Sequence, residues 1–376
     1  MRYHAIVLGV GGMGSAALYH LARRGRRVLG IEQFSLGHEF GSSHGVTRII
    51  RLAYAEHPAY VPLLRRAYQL WREMEHEAGE RLLFLTGGLD AGPPGGQMVT
   101  GSLRSCREHG IAHELLDAGE IARRFPGYRL PAEMAAVYQA EGGFVLPERS
   151  IAAHVTAALA RGAEVHGCER VVAWHAQGGG VEVRTDRGSY LADRLVIAAG
   201  AWAAQAMPEL KTLAAPERQV LIWTQPLRPE RFAPSTFPIF NMEAEEGRFY
   251  GFPIYGVPGF KIGKYHHRGE QVDPDRMNRG SDSEDEKVLR EAIARYFPDA
   301  NGATLAMKTC LFTNSPDEHF ILDLHPAWPQ VSVAAGFSGH GFKFAPVIGE
   351  ILADFVLDGG CGRWDLGLFR LGRFAR

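Results

Sequence analysis

The chain has little cysteine, little lysine and no excess of either charge. Its 376 residues include four cysteines, at 106, 168, 310 and 361. Their spacing fits neither a metal-ligand motif nor a disulfide framework, so a reduced, intracellular protein is expected, with Cys106, Cys168 and Cys361 as packing residues. With 41 basic against 42 acidic side chains, no global field favours nucleic acid or an anionic membrane, while a local basic site for a small acid stays open. No uncharged apolar run reaches the roughly 18 residues of a membrane span. The opening "MRYHAIVLGV" enters an apolar strand at once and leaves no room for a signal peptide. A cytoplasmic location follows as the expectation. Lysine is the most informative shortage. Only six of the 41 basic residues are lysine (211, 261, 264, 287, 308, 343), and 41 − 6 = 35 are arginine. A chain that writes arginine nearly everywhere keeps a lysine where it needs a compact, titratable ammonium.

What is present begins with a strand, a Gly-rich turn, a helix and a second strand. "HAIVLGV" is a short apolar run, "GVGGMGSAALYHLARRG" sets Gly9, Gly11 and Gly14 in a G-x-G-x-x-G array, and "RRVLGIE" ends on Glu32. Gly9 permits the tight turn, Gly11 lets the backbone approach a pyrophosphate, and Gly14 lets the helix pack on the strand. Glu32 lies 32 − 9 = 23 residues after the first glycine, where a carboxylate binds a ribose 2′-hydroxyl and repels a 2′-phosphate. The arrangement predicts a dinucleotide fold.

At 376 residues with 46% hydrophobic content, one large α/β domain and a second domain are expected. Apolar spacing predicts a helix over 52–78 and another over 150–162. A hairpin and the apolar strand 195–199 follow, running into Gly200, so the nucleotide domain resumes after an insertion. From 216 to 309, β-rich stretches such as "QVLIWTQPL" and "FKIGKYHH" alternate with turns, before the amphipathic helix in "SDSEDEKVLREAIARYFP". The expected architecture is α/β: a Rossmann-like domain (1–85, 150–215 and 310–376) with an inserted antiparallel-sheet substrate domain (86–149 and 216–309).

Three stretches could carry chemistry. In "GSSHGVTRIIR" (41–51), His44, Arg48 and Arg51 fall on one face if the segment is helical; they would line a bound ligand, or form a solvated basic face. In "RFYGFPIYGVPGFKIGKYHH" (248–267), strand alternation puts Lys261 and Tyr265 on one face, able to look into one cavity, unless the ribbon is simply exposed. "GFSGHGFKFAPVIGE" (336–350) places Lys343 at the entrance of a helix beginning near Pro346, a local anion site or a plain Gly-rich connector. These last two stretches and 306–325 hold four of the six lysines.

Together these residues resemble the monomeric sarcosine oxidase and N-methyltryptophan oxidase family of flavoproteins. The likeness runs nearly end to end, through "GVGGMGS" with Glu32, "GSSHGVTRIIR", "YGFPIYG…FKIGK", "TCLFTNSPDEHFILDLHP" and "AAGFSGHGFKFAPVIGE". The resemblance implies an FAD enzyme, a monomer, that oxidises small secondary amino acids and passes the electrons to O₂. Cys310 matches the cysteine joined by a thioether to the flavin 8α carbon, and Lys308 is expected to favour its thiolate. His44 and Arg48 match residues lining the flavin, and Lys261 the lysine to which O₂ activation is assigned. Arg51 and Lys343 match the pair holding the substrate carboxylate, and Tyr250 an aromatic residue of the substrate pocket. Ser42, Thr47, Gly200, Gly339 and Gly341 are further candidates for cofactor contact. Two positions depart from the family pattern: Tyr265 stands where His is usual, and Phe312 where Tyr is frequent. Both concern the substrate pocket, so the general reaction is implied while the amine is open. Oxidases of fructosyl or cyclic amino acids, an NAD-linked dehydrogenase and a non-catalytic flavin module remain as alternatives.

Overall fold

In the computed structural model, which describes residues 2–375, two large sheets meet across a small three-stranded one. The first sheet has eight strands. At its centre Arg2–Leu8 runs parallel to both Val28–Ile31 and Ser189–Ile197, with Leu8 opposite Ile31 on one side and Ile197 on the other. Where the three pair at the centre, Ala5–Leu8, Val28–Ile31 and Leu195–Ile197 are continuous apolar runs, as a parallel sheet buried on both faces requires. Glu164–His166 and Val331–Ala335 extend the parallel pairing outward, and the hairpin Val171–Gln177 with Gly180–Thr185 adds an antiparallel edge.

The helix Gly12–Arg23 packs on this sheet and against Ala345–Asp358 and Pro147–Leu159. Two glycines make the close approach possible. A Cβ on Gly14 would stand 1.8 Å from the Gly9 carbonyl oxygen, and one on Gly349 would stand 2.5 Å from the backbone of Ala16. The third role expected of the glycine array, close helix packing, is thus a steric requirement at Gly14.

The second sheet also has eight strands, in the order Thr304–Asn314, Ala215–Thr224, Phe260–Lys264, Gly247–Phe252, Ile239–Ala244, Gly88–Gly92, Ala135–Gln139, Glu114–Asp117. Every neighbouring pair is antiparallel except Ile239–Ala244 with Gly88–Gly92. The helix Ser283–Tyr296 covers one face, burying Leu289 and Ile293 against Val220, Ile222 and Ile262. It begins on a capping box formed by Asp282 and Asp285. The sequence boundary at residue 310 falls inside the strand Thr304–Asn314, whose pairing with Ala215–Thr224 runs unbroken across residue 310 from Ala306 to Asn314.

Several local expectations change. The helix expected over 52–78 starts only at Val61: Pro58 biases His57 to extended backbone (φ −172°), whereas Pro62 sits in the first turn, where its missing N–H costs nothing. Residues 41–51 are not helical. Gly45 (φ 94°) and Val46 (φ 72°) are left-handed, and the strand Arg48–Ile50 follows, so His44, Arg48 and Arg51 do not share a helical face. Among the presumed packing cysteines, Cys106 is buried, but Cys361 is half-buried and Cys168 is exposed in a left-handed turn (φ 53°).

Candidate active site

A cavity of about 680 Å³ runs from the Gly-rich turn to the seam between the two large sheets. At one end lie Gly9, Gly11, Glu32, Ser42 and Gly200; at the other lie Arg51, Tyr250, Tyr265, Phe312, Gly339, Gly341 and Lys343, with Arg48 among the remaining lining residues. These groups come from strands of both large sheets and from the segments that follow them, which places side chains from distant sequence positions within one space.

The dinucleotide end fits FAD on this chain's own features. Gly9 (φ 87°) makes a turn that a Cβ would block, 2.6 Å from the Ala198 carbonyl oxygen, while a Cβ on Gly11 would meet nothing within 4 Å and would project into open space. The helix that follows has no side-chain cap and no acidic residue in its first turn, which leaves backbone N–H groups and the positive end of the helix dipole for phosphate. The Glu32 carboxylate accepts from Val10 N (3.0 Å) and Phe34 N (3.1 Å), which fixes it at the cavity wall. Gly200 (φ 54°) turns the chain at the end of the neighbouring strand.

A second group of residues stands behind the middle of the cavity. Glu148 accepts from Gly45 N (2.6 Å) and Val46 N (3.0 Å), and this holds the left-handed turn. The turn aims its oxygens at Lys261, whose Nζ donates to Gly45 O (2.6 Å), Thr47 O (2.9 Å) and Thr47 Oγ1 (3.0 Å). Three acceptors suit the three protons of an ammonium. Burial and the nearby Arg48 push the Lys261 pKa well down, against the pull of Glu148. Lys261 also lies over Phe252 (4.3 Å) and Trp223 (5.3 Å). It does not reach the cavity surface, whereas Tyr265 does. The expected sharing of one cavity therefore fails. A Cβ on Gly263 would stand 2.6 Å from the Tyr250 ring and hydroxyl, so that ring occupies the space between Lys261 and Tyr265.

His44 and Thr47 also lie just outside the cavity wall. Both His44 ring nitrogens are buried without a hydrogen-bond partner among the described residues. Burial, reinforced by Arg48, Lys308 and Lys261, holds its pKa down at about 3, so the ring is neutral. Arg48 donates to Thr47 O (3.0 Å) and Ser42 O (2.9 Å), and its Nη2 stands 3.5 Å from Cys310 Sγ. The cation beside Cys310 is therefore Arg48. Lys308 is instead part-exposed and ion-paired with Glu39. Cys310 is 3% exposed and contacts the cavity through Arg48 and Ser42, while Leu311, Phe312 and Thr313 reach its surface.

The far end is a buried charge cluster. Arg51, 1% exposed, donates through Nη2 to Glu56 (2.8 Å) and through Nε to Asp90 (3.2 Å), and its Nη1 has no partner among the described residues. Burial works against this charge, but Asp90 and Glu56 outweigh it and hold Arg51 firmly protonated. Asp90 keeps two further donors, Ser102 (2.8 Å) and Asn241 (3.1 Å). Glu56 binds Arg248 as well, at 2.5 Å, and despite burial its pKa is held well below the usual range by the two arginines. Lys343 donates to His340 O (2.7 Å); burial and Arg51 push its pKa well down. The Tyr54 hydroxyl is 3.5 Å from Lys343 and donates to His340 Nδ1 (2.6 Å). That assignment follows because His340 Nε2 faces the Glu318 carbonyl (3.0 Å), which only accepts.

Glu56, Asp90, Arg248, Tyr54 and His340 were not anticipated. Two left a signal in the sequence: Asp90 is an acid inside an otherwise apolar strand, and Arg248 shares a strand face with Tyr250 by simple alternation. Among the described residues no group of three or more His, Cys, Asp or Glu is placed to hold a metal. Among the same residues no helix is long and apolar enough to cross a membrane.

Comparison with known proteins agrees with this geometry. A model of the FAD dependent oxidoreductase family matches residues 4–355. A monomeric sarcosine oxidase from Streptomyces avermitilis is 44% identical over 99% of this chain and 98% of its own length. An N-methyl-L-tryptophan oxidase from Salmonella dublin is 35% identical, with all of both chains covered. The solved structure of NikD, described as an unusual amino acid oxidase essential for nikkomycin biosynthesis, superposes with a TM-score of 0.84 at 26% identity, covering 98% of this chain and 97% of that one. The chain belongs to the FAD dependent oxidoreductase family, in the group that contains monomeric sarcosine oxidase and N-methyl-L-tryptophan oxidase.

Proposed function

We propose that this chain is an FAD-dependent oxidase of secondary amino acids, N-methyl amino acids foremost, with O₂ as electron acceptor and hydrogen peroxide as product. The observation that carries the substrate class is buried Arg51, which lines the same cavity as Lys343 and whose Nη1 has no hydrogen-bond partner among the described residues. A buried guanidinium with one free donor and an adjacent amine make a site for a single carboxylate. FAD, when bound, supplies the two-electron acceptor for the C–H bond beside the amine nitrogen and passes the electrons to O₂.

The protein's part is to bind, orient and desolvate. Arg51 and Lys343 anchor the carboxylate and so position the adjacent carbon without touching the reacting bond. The cations around the clamp and the aromatic wall of Tyr250, Tyr265 and Phe312 favour the neutral amine over its ammonium, because like charge and low dielectric both disfavour the protonated form. Lys261, fixed by Gly45 and Thr47, provides a cation for the negative charge that develops as O₂ accepts electrons. Cys310, with Arg48 beside it to favour the thiolate, is the residue we assign to covalent attachment of the flavin. A cytoplasmic monomer is the state in which we expect this activity.

The decisive experiment is anaerobic reduction of the yellow holoprotein across a panel of N-alkyl amino acids. Bleaching by N-methyl amino acids, with peroxide released on readmitting air, is the expected result. A colourless protein, or no reduction by any secondary amine, refutes the assignment. Acid denaturation tests the attachment separately: the colour should stay with the polypeptide, and Cys310→Ser should release it.

A further inference from the structure

The wall opposite the carboxylate clamp is held in place by a side chain that does not itself reach the cavity. Tyr265 is the first residue beyond the strand Phe260–Lys264, and its backbone N–H still pairs with the Arg248 carbonyl (2.8 Å) before the chain turns at His266 (φ 55°). Its ring is confined on three sides. The Arg248 guanidinium lies 4.2 Å from the ring centroid, Tyr250 meets it edge-on at 5.2 Å, and Phe312 packs at 5.5 Å. Arg248 is fixed in turn by Glu56 at 2.5 Å, and the other oxygen of that carboxylate binds Arg51 at 2.8 Å. One carboxylate therefore ties the aromatic wall to the substrate clamp.

This connection has a consequence for substrate size. Arg51 and Tyr265 line the same end of the cavity, and the electrostatic influence of Arg51 and Glu56 reaches the Tyr265 hydroxyl. With the substrate carboxylate on Arg51 and Lys343, the α-carbon is one bond away, and any large substituent on it must occupy space next to the Tyr265 ring. A free tyrosine would swing aside at little cost. This one would have to break a cation–π contact and two aromatic contacts, and to disturb an ion pair shared with the clamp.

We propose that Arg248 is a positioning residue that selects substrates by size. By packing on Tyr265 and pairing with Glu56 it makes the wall rigid, so the site takes secondary amino acids with no substituent or a very small one at the α-carbon and rejects bulky aromatic ones. The proposal rests on the carboxylate-clamp reading above.

Its test uses binding rather than turnover. Methoxyacetate and 2-methoxy-3-phenylpropanoate mimic a small and a bulky substrate, with an ether oxygen in place of the reactive amine. Their dissociation constants are measured by calorimetry on the holoprotein, and the quantity read is the bulky-to-small ratio, in which any general weakening of the clamp cancels. We expect a ratio of about 100 or more in the parent protein, within the range by which shaped apolar pockets discriminate. Arg248→Met and Tyr265→Ala should each lower it by about tenfold or more, and Arg248→Lys, which keeps the charge, should restore most of the selectivity. A parent ratio near one overturns size selection while leaving the carboxylate clamp intact. A ratio lowered by Tyr265→Ala but unmoved by Arg248→Met overturns the positioning role, and if Arg248→Met does not fold, a fully parental ratio in Tyr265→Ala overturns the wall itself. Failure of both ligands to bind, with no secondary amine oxidised, removes the functional assignment and this proposal together.

Discussion

Replacing Arg51 by Met should damage stability and ligand binding together, by amounts that the charge cluster sets. The guanidinium is 1% exposed and serves two buried carboxylates, Asp90 and Glu56. Removing one partner of a buried pair typically costs about 3–5 kcal/mol, because the orphaned charge has no water to turn to. Here the low end applies. Asp90 retains Ser102 and Asn241 as donors, and Glu56 retains Arg248. A loss of about 3 kcal/mol in a chain of this length corresponds to a melting point lowered by roughly 4 °C. The loss should depend on pH in a definite direction. The folded pKa of Glu56 is depressed by Arg51 and Arg248, so its contribution to stability is present above the ordinary carboxylate value of 4.5 and disappears as pH falls through the folded value. The gap between parent and variant should therefore be widest near neutrality and should narrow in acid. Binding of a carboxylate ligand loses one charge-assisted hydrogen bond from Nη1, about 1.5–3 kcal/mol, or roughly 10- to 150-fold in Kd. Thermal melts from pH 3 to 8 and calorimetry with methoxyacetate measure both effects. A destabilisation that does not change with pH, or an unchanged Kd, would refute the electrostatic account.

Three other outcomes follow from named contacts. Lys261→Met should slow the reaction of the substrate-reduced enzyme with O₂ by about 100-fold or more, with a much smaller effect on anaerobic reduction; equal effects in stopped-flow experiments would remove its assigned role. Glu217 and Glu318 hydrogen-bond His266 and raise its pKa to about 10, so its contribution to stability is full below the usual value of 6.5, declines above it and is gone once pH passes about 10. His266→Gln should accordingly lower the melting point at pH 6 and converge with the parent above pH 10, and a constant offset would contradict this. Gly14→Ala should destabilise the apoprotein, because its Cβ collides with backbone, whereas Gly11→Ala, with open space around it, should leave apoprotein melting unchanged and slow FAD incorporation; the reverse pattern would overturn the division of labour between these glycines.

The residues legible in the sequence were those whose role is local. Gly9, Gly11, Gly14 and Glu32 act through a contiguous strand–turn–helix–strand unit, and their steric duties can be read directly from spacing. Lysine scarcity singled out Lys261 and Lys343, both buried, but equally Lys264 and Lys308, which are only partly covered. Composition cannot separate these cases, because burial depends on which strand lies alongside. The stretch 41–51 was misread for a similar reason: its i, i+4 spacing suits a helix, yet Gly45 and Val46 take left-handed angles held by Glu148, more than 100 residues away. The carboxylates that make Arg51 tolerable in the interior come from an irregular segment and from a strand in the other sheet, so no local pattern links them. Arg248 was missed although alternation places it with Tyr250, because an arginine in a strand ordinarily faces water.

Electrostatic balance explains why these groups sit together in the interior. At the clamp, Arg51, Arg248 and Lys343 face Glu56 and Asp90, and with Lys343 protonated the sum is 3 − 2 = +1. Burial and Arg51 disfavour that last proton in the free protein, so the cluster rests close to neutral, and a substrate with one carboxylate supplies the charge that makes the Lys343 ammonium favourable. A second carboxylate would overshoot and bury an uncompensated anion, a cost of several kcal/mol. The wall behind the middle of the cavity follows the same logic. Among the described residues Glu148 is the carboxylate that acts on Lys261 beside Arg48, and it already accepts from two backbone N–H groups. Burial and Arg48 disfavour the Lys261 proton in the free protein, so Arg48 and Glu148 nearly cancel there, and negative charge arriving beside Lys261 makes its ammonium favourable. Under the proposed assignment the fold sets two buried groups side by side, each with a lysine that gains its proton when an anion arrives, and this pairing suits an amino acid held by its carboxylate with a neutral amine against an electron acceptor that becomes more negative as it reacts.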